Sequence, residues 1–332
     1  MQTLSPLLSN DRVALYRLDG AGAVDALVAT TPGTRRICND PLCAGIAYTR
    51  ALQAACTDIL AVLGADRLGL RESETVVVNI LRGGLNFGLR DALADAYGWN
   101  NHTTSFISAQ RARSEQDPDE WHITENAYKK VYFPPAASFV VGDVVATGTS
   151  LRYGLEELVR IAKEQSVDLR SIVFFTYGGP RAREILEGID ETCRRTFPAY
   201  GRTTLVYLEG CFAMAEASTP LHIRIPGTDL LRLGATMAPE FIESQYEAPS
   251  YPIERCTIYD AGSRAFWIRE YASDVIGYWR ENLQMAERGM SFRELLAERF
   301  PSLDPDRFGN VDFVKLCKDR IQTVEGLLKN SH

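Results

Sequence analysis

Clustered metal and redox residues are what this 332-residue chain lacks first. Its four histidines are widely spaced, and its seven cysteines (Cys38, Cys43, Cys56, Cys193, Cys211, Cys256, Cys317) form no Cys-x-x-Cys pair. That argues against a zinc site, a His-rich metal centre or a disulfide framework, and fits a reducing compartment. A basic excess is missing too: 36 Lys and Arg against 43 Asp and Glu leave a net charge of −7. General binding to nucleic acid or to a membrane surface needs a basic face, so neither is expected as a partner. No basic N-terminal region runs into a long apolar stretch, and no segment reads as long and apolar enough to span a bilayer. A soluble, cytoplasmic protein is the expectation. With 45% hydrophobic residues, the chain can bury a full core and more than one structural unit.

Two common phosphate-binding signatures are also absent. Neither Gly-x-x-x-x-Gly-Lys nor Gly-x-Gly-x-x-Gly occurs at a strand–helix junction. What stands there instead is Phe139-Val-Val-Gly-Asp143-Val-Val-Ala146-Thr147-Gly148-Thr149-Ser150. A β-branched run ends near Asp143, a turn of hydroxyls and glycine follows, and a helix opens with Leu151, Leu155, Leu158, Val159 and Ala162 on one face. Such a junction holds phosphate, because unpaired amides of the first helical turn and the helix dipole both favour an anion. Thr147, Thr149 and Ser150 add hydroxyls, and Gly148 lets the backbone come close. An acidic residue just before the cradle suits a sugar phosphate, with Asp143 accepting from ribose hydroxyls.

A second anion turn lies upstream. Val76, Val77, Val78 and Ile80 form a buried strand that runs into Arg82-Gly83-Gly84, and a helix follows through Leu85, Leu89, Leu93 and Tyr97. Paired glycines free the amides, and Arg82 offers a bidentate guanidinium to phosphate oxygens. Two such turns at the carboxyl ends of two strands imply a ligand with phosphate at both ends.

Strands expected at 76–80, 104–108, 139–141, 172–177 and 204–208 alternate with helices at 86–97, 150–164 and 181–189. That alternation predicts an α/β fold with a mostly parallel, doubly wound sheet. Residues 1–70 read as an N-terminal arm and, after about Pro41, a helix. Residues 71–265 read as the core, with a proline-punctuated stretch past 210 forming a hood. Residues 266–332 read as a helical extension, whose stripe of Trp267, Ile268, Tyr271, Val275, Ile276 and Trp279 points to packing against the core or a partner subunit.

These motifs resemble those of the type I phosphoribosyltransferases, which use 5-phosphoribosyl 1-pyrophosphate (PRPP) with Mg²⁺. Within them the chain looks most like the uracil phosphoribosyltransferases. Ile80-Leu-Arg-Gly-Gly-Leu85 is similar to their Ile-Leu-Arg-Ala-Gly-Leu, and Ala146–Ser150 to their Ala-Thr-Gly-Gly-Ser. Gln110-Arg111-Ala112-Arg113, an acidic loop and Ala127–Pro134 resemble their flexible loop. Asp260-Ala-Gly262-Ser263-Arg264-Ala-Phe266 is similar to their base-binding Asp-Ala-Gly-Asp-Arg-Leu-Phe.

The resemblance implies a 5-phosphate site at Ala146, Thr147, Gly148, Thr149 and Ser150. It places pyrophosphate at Arg82, Gly83, Gly84, Arg111 and Arg113, and ribose at Asp143, with Asp143 and Arg82 serving catalysis. Mg²⁺ would reach Asp143 only through the ribose hydroxyls. Tyr177, Asp260, Gly262 and Arg264 would lie on the base side. The polar segment Ser114–Thr124 would close over PRPP and exclude water, with His122 and Lys129–Lys130 beside it. The implied activity is transfer of 5-phosphoribosyl to a nucleobase-like nitrogen, pyrimidine-like by preference, in nucleotide salvage, by a homo-oligomer. Three positions depart from the family: Gly142 replaces an acidic residue, Ala146 cannot accept a proton, and Ser263 stands where a second Asp is usual. They keep open a PRPP-binding regulator without turnover, or a transferase with an unusual acceptor.

Overall fold

The computed structural model describes residues 3–20, 22–81, 83–113, 121–125, 127–216, 218–223, 230–255 and 261–329. Within them the first half holds β1 (Leu4–Ser9), β2 (Ala14–Leu18), β3 (Asp25–Thr30), α1 (Pro32–Asn39), α2 (Ile46–Leu63), α3 (Ala65–Leu68), β4 (Thr75–Leu81), α4 (Leu89–Tyr97) and β5 (Thr103–Ser108). Then come β6 (Gln110–Arg113), β7 (Trp121–Glu125), β8 (Lys129–Lys130), β9 (Ala136–Gly142), α5 (Thr149–Glu164), β10 (Asp168–Gly178), α6 (Pro180–Thr196) and β11 (Arg202–Met214). The remainder is β12 (Leu230–Met237), α7 (Pro239–Ser244), α8 (Ala261–Phe266), α9 (Ile268–Glu287), α10 (Phe292–Arg299) and α11 (Phe313–Lys329).

Six strands run parallel in the spatial order β3-β11-β10-β9-β4-β5. β2 and β1 extend the sheet antiparallel beyond β3, β8 lies antiparallel on β5, and β12 on β11. The fold is therefore mixed α/β with a ten-stranded, mostly parallel sheet. Its central strands are continuous apolar runs because both faces are covered: Phe139, Val140, Val141, Ile172, Val173, Phe174 and Phe175 are wholly buried. Each such side chain contributes roughly 1.5–3 kcal/mol of burial free energy.

Between β4 and β9 the chain order reverses: β4 leads outward to β5, while β9 leads the other way to β10 and β11. With the usual right-handed crossover, that reversal puts α4 on one face and α5 and α6 on the other. α2 packs beside α4, and α5 beside α6. At such a reversal the loops leaving the strand ends diverge and open a crevice.

Two expectations need correcting. The segment before Pro41 is three strands and α1, and β3 enters the parallel sheet beside β11. α2 is long and apolar enough to cross a membrane by length and composition, contrary to the reading that no segment is. Its face of Tyr48, Leu52, Cys56, Ile59 and Leu60 is buried in the core.

Candidate functional site

Past Gly142 the chain stays bonded to β10: Asp143 N–H donates to Phe175 O (3.1 Å) and Val145 N–H to Tyr177 O (2.9 Å). It then leaves the sheet through Ala146 and Thr147. Gly148 takes the left-handed conformation (φ 76°), and a side chain there would strike Ile185. That turn needs glycine. α5 starts at Thr149, and no described side chain caps it, so its first amides face the turn.

The hydroxyls divide their work. Thr147 Oγ1 and Thr149 Oγ1 lie 3.2 Å apart on the loop. Ser150 Oγ instead donates to Ala109 O at 2.7 Å, tying α5 to the end of β5. In this structure its one hydroxyl proton is therefore used within the protein. A cavity of about 240 Å³ opens over Thr147, Gly148 and Thr149, walled by Ile123 of β7, by Arg152, Tyr153 and Glu156 of α5, and by Arg181 of α6. The two arginines were missed from the sequence. Arg152, in the first turn of α5, was the readable one.

The upstream turn meets this loop. Gly83–Phe87 is a short 3-10 helix between β4 and α4. A Cβ at Gly84 would lie 3.0 Å from Gly142 O, and one at Gly83 would lie 2.6 Å from Asp143 Oδ1. Asp143 is 9% exposed, and its Oδ1 accepts from Val144 N–H at 2.9 Å. Arg82 lies outside the described residues. Arg111 and Arg113 sit on β6, which pairs with β7 in a separate ribbon; their side chains, and that of His122, lie outside the described set. So do residues 114–120 of the expected lid, whereas Ile123 reaches the cavity wall.

Gly142 is explained by packing. A Cβ there would stand 2.5 Å from Phe87 Cγ and 2.9 Å from Phe87 Cβ. Phe87 is wholly buried, so an acidic side chain at 142 has no room.

On the base side, two of the expected residues are buried. Arg264 is fully buried: its Nε donates to Cys43 O (2.7 Å), Nη1 to Ile37 O and Nη2 to Asp40 O (both 2.8 Å). It lies over the Tyr48 and Tyr271 rings and fastens α8 to the α1–α2 junction. Tyr177 is also fully buried, with its hydroxyl on Thr34 O at 3.3 Å, and burial pushes its phenol well above the ordinary value. Both side chains are engaged in packing and hydrogen bonds within the fold. Asp260 lies outside the described residues, while Gly262, half-buried on α8, belongs to a helix that abuts both α2 and the 83–87 turn.

A carboxyl unforeseen from the sequence sits within β11, at its register break. Glu209 is wholly buried, has φ 67°, and interrupts the β10–β11 register. It accepts from Thr34 Oγ1 and from Thr31 N–H (3.2 Å) at the start of α1, and burial raises it to about 7. Among the described residues, no three His, Cys, Asp or Glu side chains converge on a metal position. Asp143 alone fits a cation carried chiefly by a ligand's own oxygens.

The sequence matches no protein-family model and no curated protein. Among solved structures it is similar to a hypoxanthine-guanine phosphoribosyltransferase from Bacillus anthracis, with 18% identity, TM-score 0.26, and coverage of 39% of this chain and 69% of that one. A hypoxanthine phosphoribosyltransferase from Trypanosoma cruzi with the product IMP shows 13% identity, TM-score 0.26, and coverage of 60% and 86%. Its ternary substrate complex shows 14% identity, TM-score 0.26, and coverage of 58% and 92%. Overlaps this low carry nothing about the chemistry, which rests on the residues themselves.

Proposed function

We propose that the crevice between β4 and β9 binds PRPP and that the protein transfers its 5-phosphoribosyl group to a nucleobase-like nitrogen, releasing pyrophosphate. One observation supports this above the others: the Gly83–Gly84 turn and the Asp143–Thr149 loop meet at the point where strand order reverses. A doubly phosphorylated pentose laid across that junction has an amide-rich turn for each end and a carboxylate for its hydroxyls. In this reading Thr147–Thr149 hold the 5-phosphate, Asp143 orients the ribose, and Arg82 with Gly83 and Gly84 faces the pyrophosphate. Mg²⁺ bound with the ligand would neutralise the leaving group's charge. The β6–β7 ribbon, which brings Ile123 to the cavity, would help to exclude water.

A nucleobase nitrogen is already a good nucleophile, so Ala146 is no obstacle. Residues 71–265 would form the transferase core with its hood. Arg264 and Tyr177 are held in packing, so in this reading the acceptor would lie at the surfaces near α8.

A second reading, a PRPP-binding regulator without turnover, is favoured by the steric bar at Gly142, which leaves Asp143 without an acidic neighbour. The experiment that separates the two is incubation with PRPP, Mg²⁺ and a panel of bases while pyrophosphate is followed. Release dependent on one base supports the transferase. PRPP binding with no release for any base supports the regulator, and no PRPP binding defeats both.

A further inference from the structure

Resting on the PRPP reading, we propose that Arg152 is the cation that seats the 5-phosphate, making the Thr147–Thr149 cradle selective for a dianionic phosphate monoester. The cradle supplies amides and two threonine hydroxyls, which carry only partial charges, and Ser150 has been withdrawn to Ala109. A full positive charge is needed for tight discrimination of a dianion, and a guanidinium provides it in bidentate form.

Arg152 stands where that charge is wanted. Its N–H donates to Gly148 O at 2.9 Å, which fixes it in the first turn of α5. Side chains on a helix lean back toward its N-terminus, and here that direction is the turn. Arg152 also lines the cavity over Thr147, Gly148 and Thr149.

Among the described residues, three other cations around α5 are already paired. Arg181 binds Glu184 at 2.7 Å, Arg160 binds Glu157 and Glu164, and Lys129 binds Glu157 at 2.6 Å. Among the described residues Arg152 makes no ion pair, although Glu156 shares its cavity wall. An unpaired arginine beside a carboxylate it does not engage is available to an incoming anion.

The test is calorimetric titration of ribose 5-phosphate and, separately, of inorganic pyrophosphate with Mg²⁺ into the wild type, R152A and R152K. Arg152 is exposed, so both variants should fold, as thermal melting would verify. The expected result is a loss of about tenfold or more in ribose 5-phosphate affinity for R152A. R152K should recover part of it, and pyrophosphate affinity should be unchanged. Wild type and R152A binding ribose 5-phosphate equally would overturn the assignment while leaving the PRPP site standing. Equal losses for both ligands would also overturn it, since Arg152 would then not discriminate between the two ends. A wild type that binds neither ligand sinks this assignment together with the PRPP reading.

Discussion

The ring of Phe87 occupies the space into which any side chain at Gly142 would project, with only 2.5 Å between a Cβ there and Phe87 Cγ. The glycine of β9 and the aromatic of the preceding turn are one packing unit. Gly142→Asp should therefore lower stability by about 1–3 kcal/mol through overpacking. Adding Phe87→Ala should return part of that loss, because the cavity it opens receives the new side chain. Denaturant midpoints of the two single variants and the double variant give the coupling; strict additivity would show that the two positions do not share space.

Ser150→Ala removes the donor to Ala109 O and leaves α5 less firmly joined to β5. The expected cost is about 0.5–1.5 kcal/mol of stability with ribose 5-phosphate affinity nearly intact. Thr149→Val should show the reverse, with stability held and affinity lost. Thermal melts paired with titrations measure both. Strong loss of binding in Ser150→Ala would return that hydroxyl to the ligand.

Asp143→Asn keeps the volume and one acceptor but removes the carboxylate charge that the PRPP reading assigns to the ribose. PRPP affinity or turnover should fall by about tenfold or more. Unchanged affinity and rate would place the ribose elsewhere.

Glu209 makes stability depend on pH in a direction that can be worked out. Burial raises its carboxyl from the ordinary 4.5 to about 7 in the folded protein. Below 4.5 both states hold the proton and no penalty arises. Between these values the unfolded chain has released a proton that the folded chain keeps, so stability falls as pH rises. Above about 7 the penalty is complete, at about 3 kcal/mol. Glu209→Gln should flatten that decline, as seen by comparing unfolding free energies at pH 5 and pH 8. Parallel slopes in the two proteins would show that the carboxyl is already ionised in the fold.

How much of this was legible depended on where the physics is local. β4, β9 and β10 could be read because strands covered on both faces are unbroken apolar runs. α5 could be read from the spacing of Leu151, Leu155, Leu158 and Ala162, all buried as expected. β1 and β2 could not, since their half-exposed antiparallel pair has little apolar signal. The packing of Arg264 was not legible for a different reason: its acceptors at positions 37, 40 and 43 lie more than two hundred residues away in sequence, and nothing beside it announces them. Glu209, just past the strand expected at 204–208, carries no local signal either. Its meaning comes from α1, which the β3–β11 pairing carries to it.

That pairing has a consequence for biosynthesis. β2 pairs with one edge of β3 from the adjoining sequence, but the other edge finds its neighbour only when residues 204–208 exist, well after the opening stretch has left the ribosome. The β11-facing edge of its apolar Ala26–Ala29 run has to wait through most of translation, while chaperone capture or aggregation competes with assembly. Completion of the sheet is a late event, set by the arrival of β11 and not by the order in which the first strands appear.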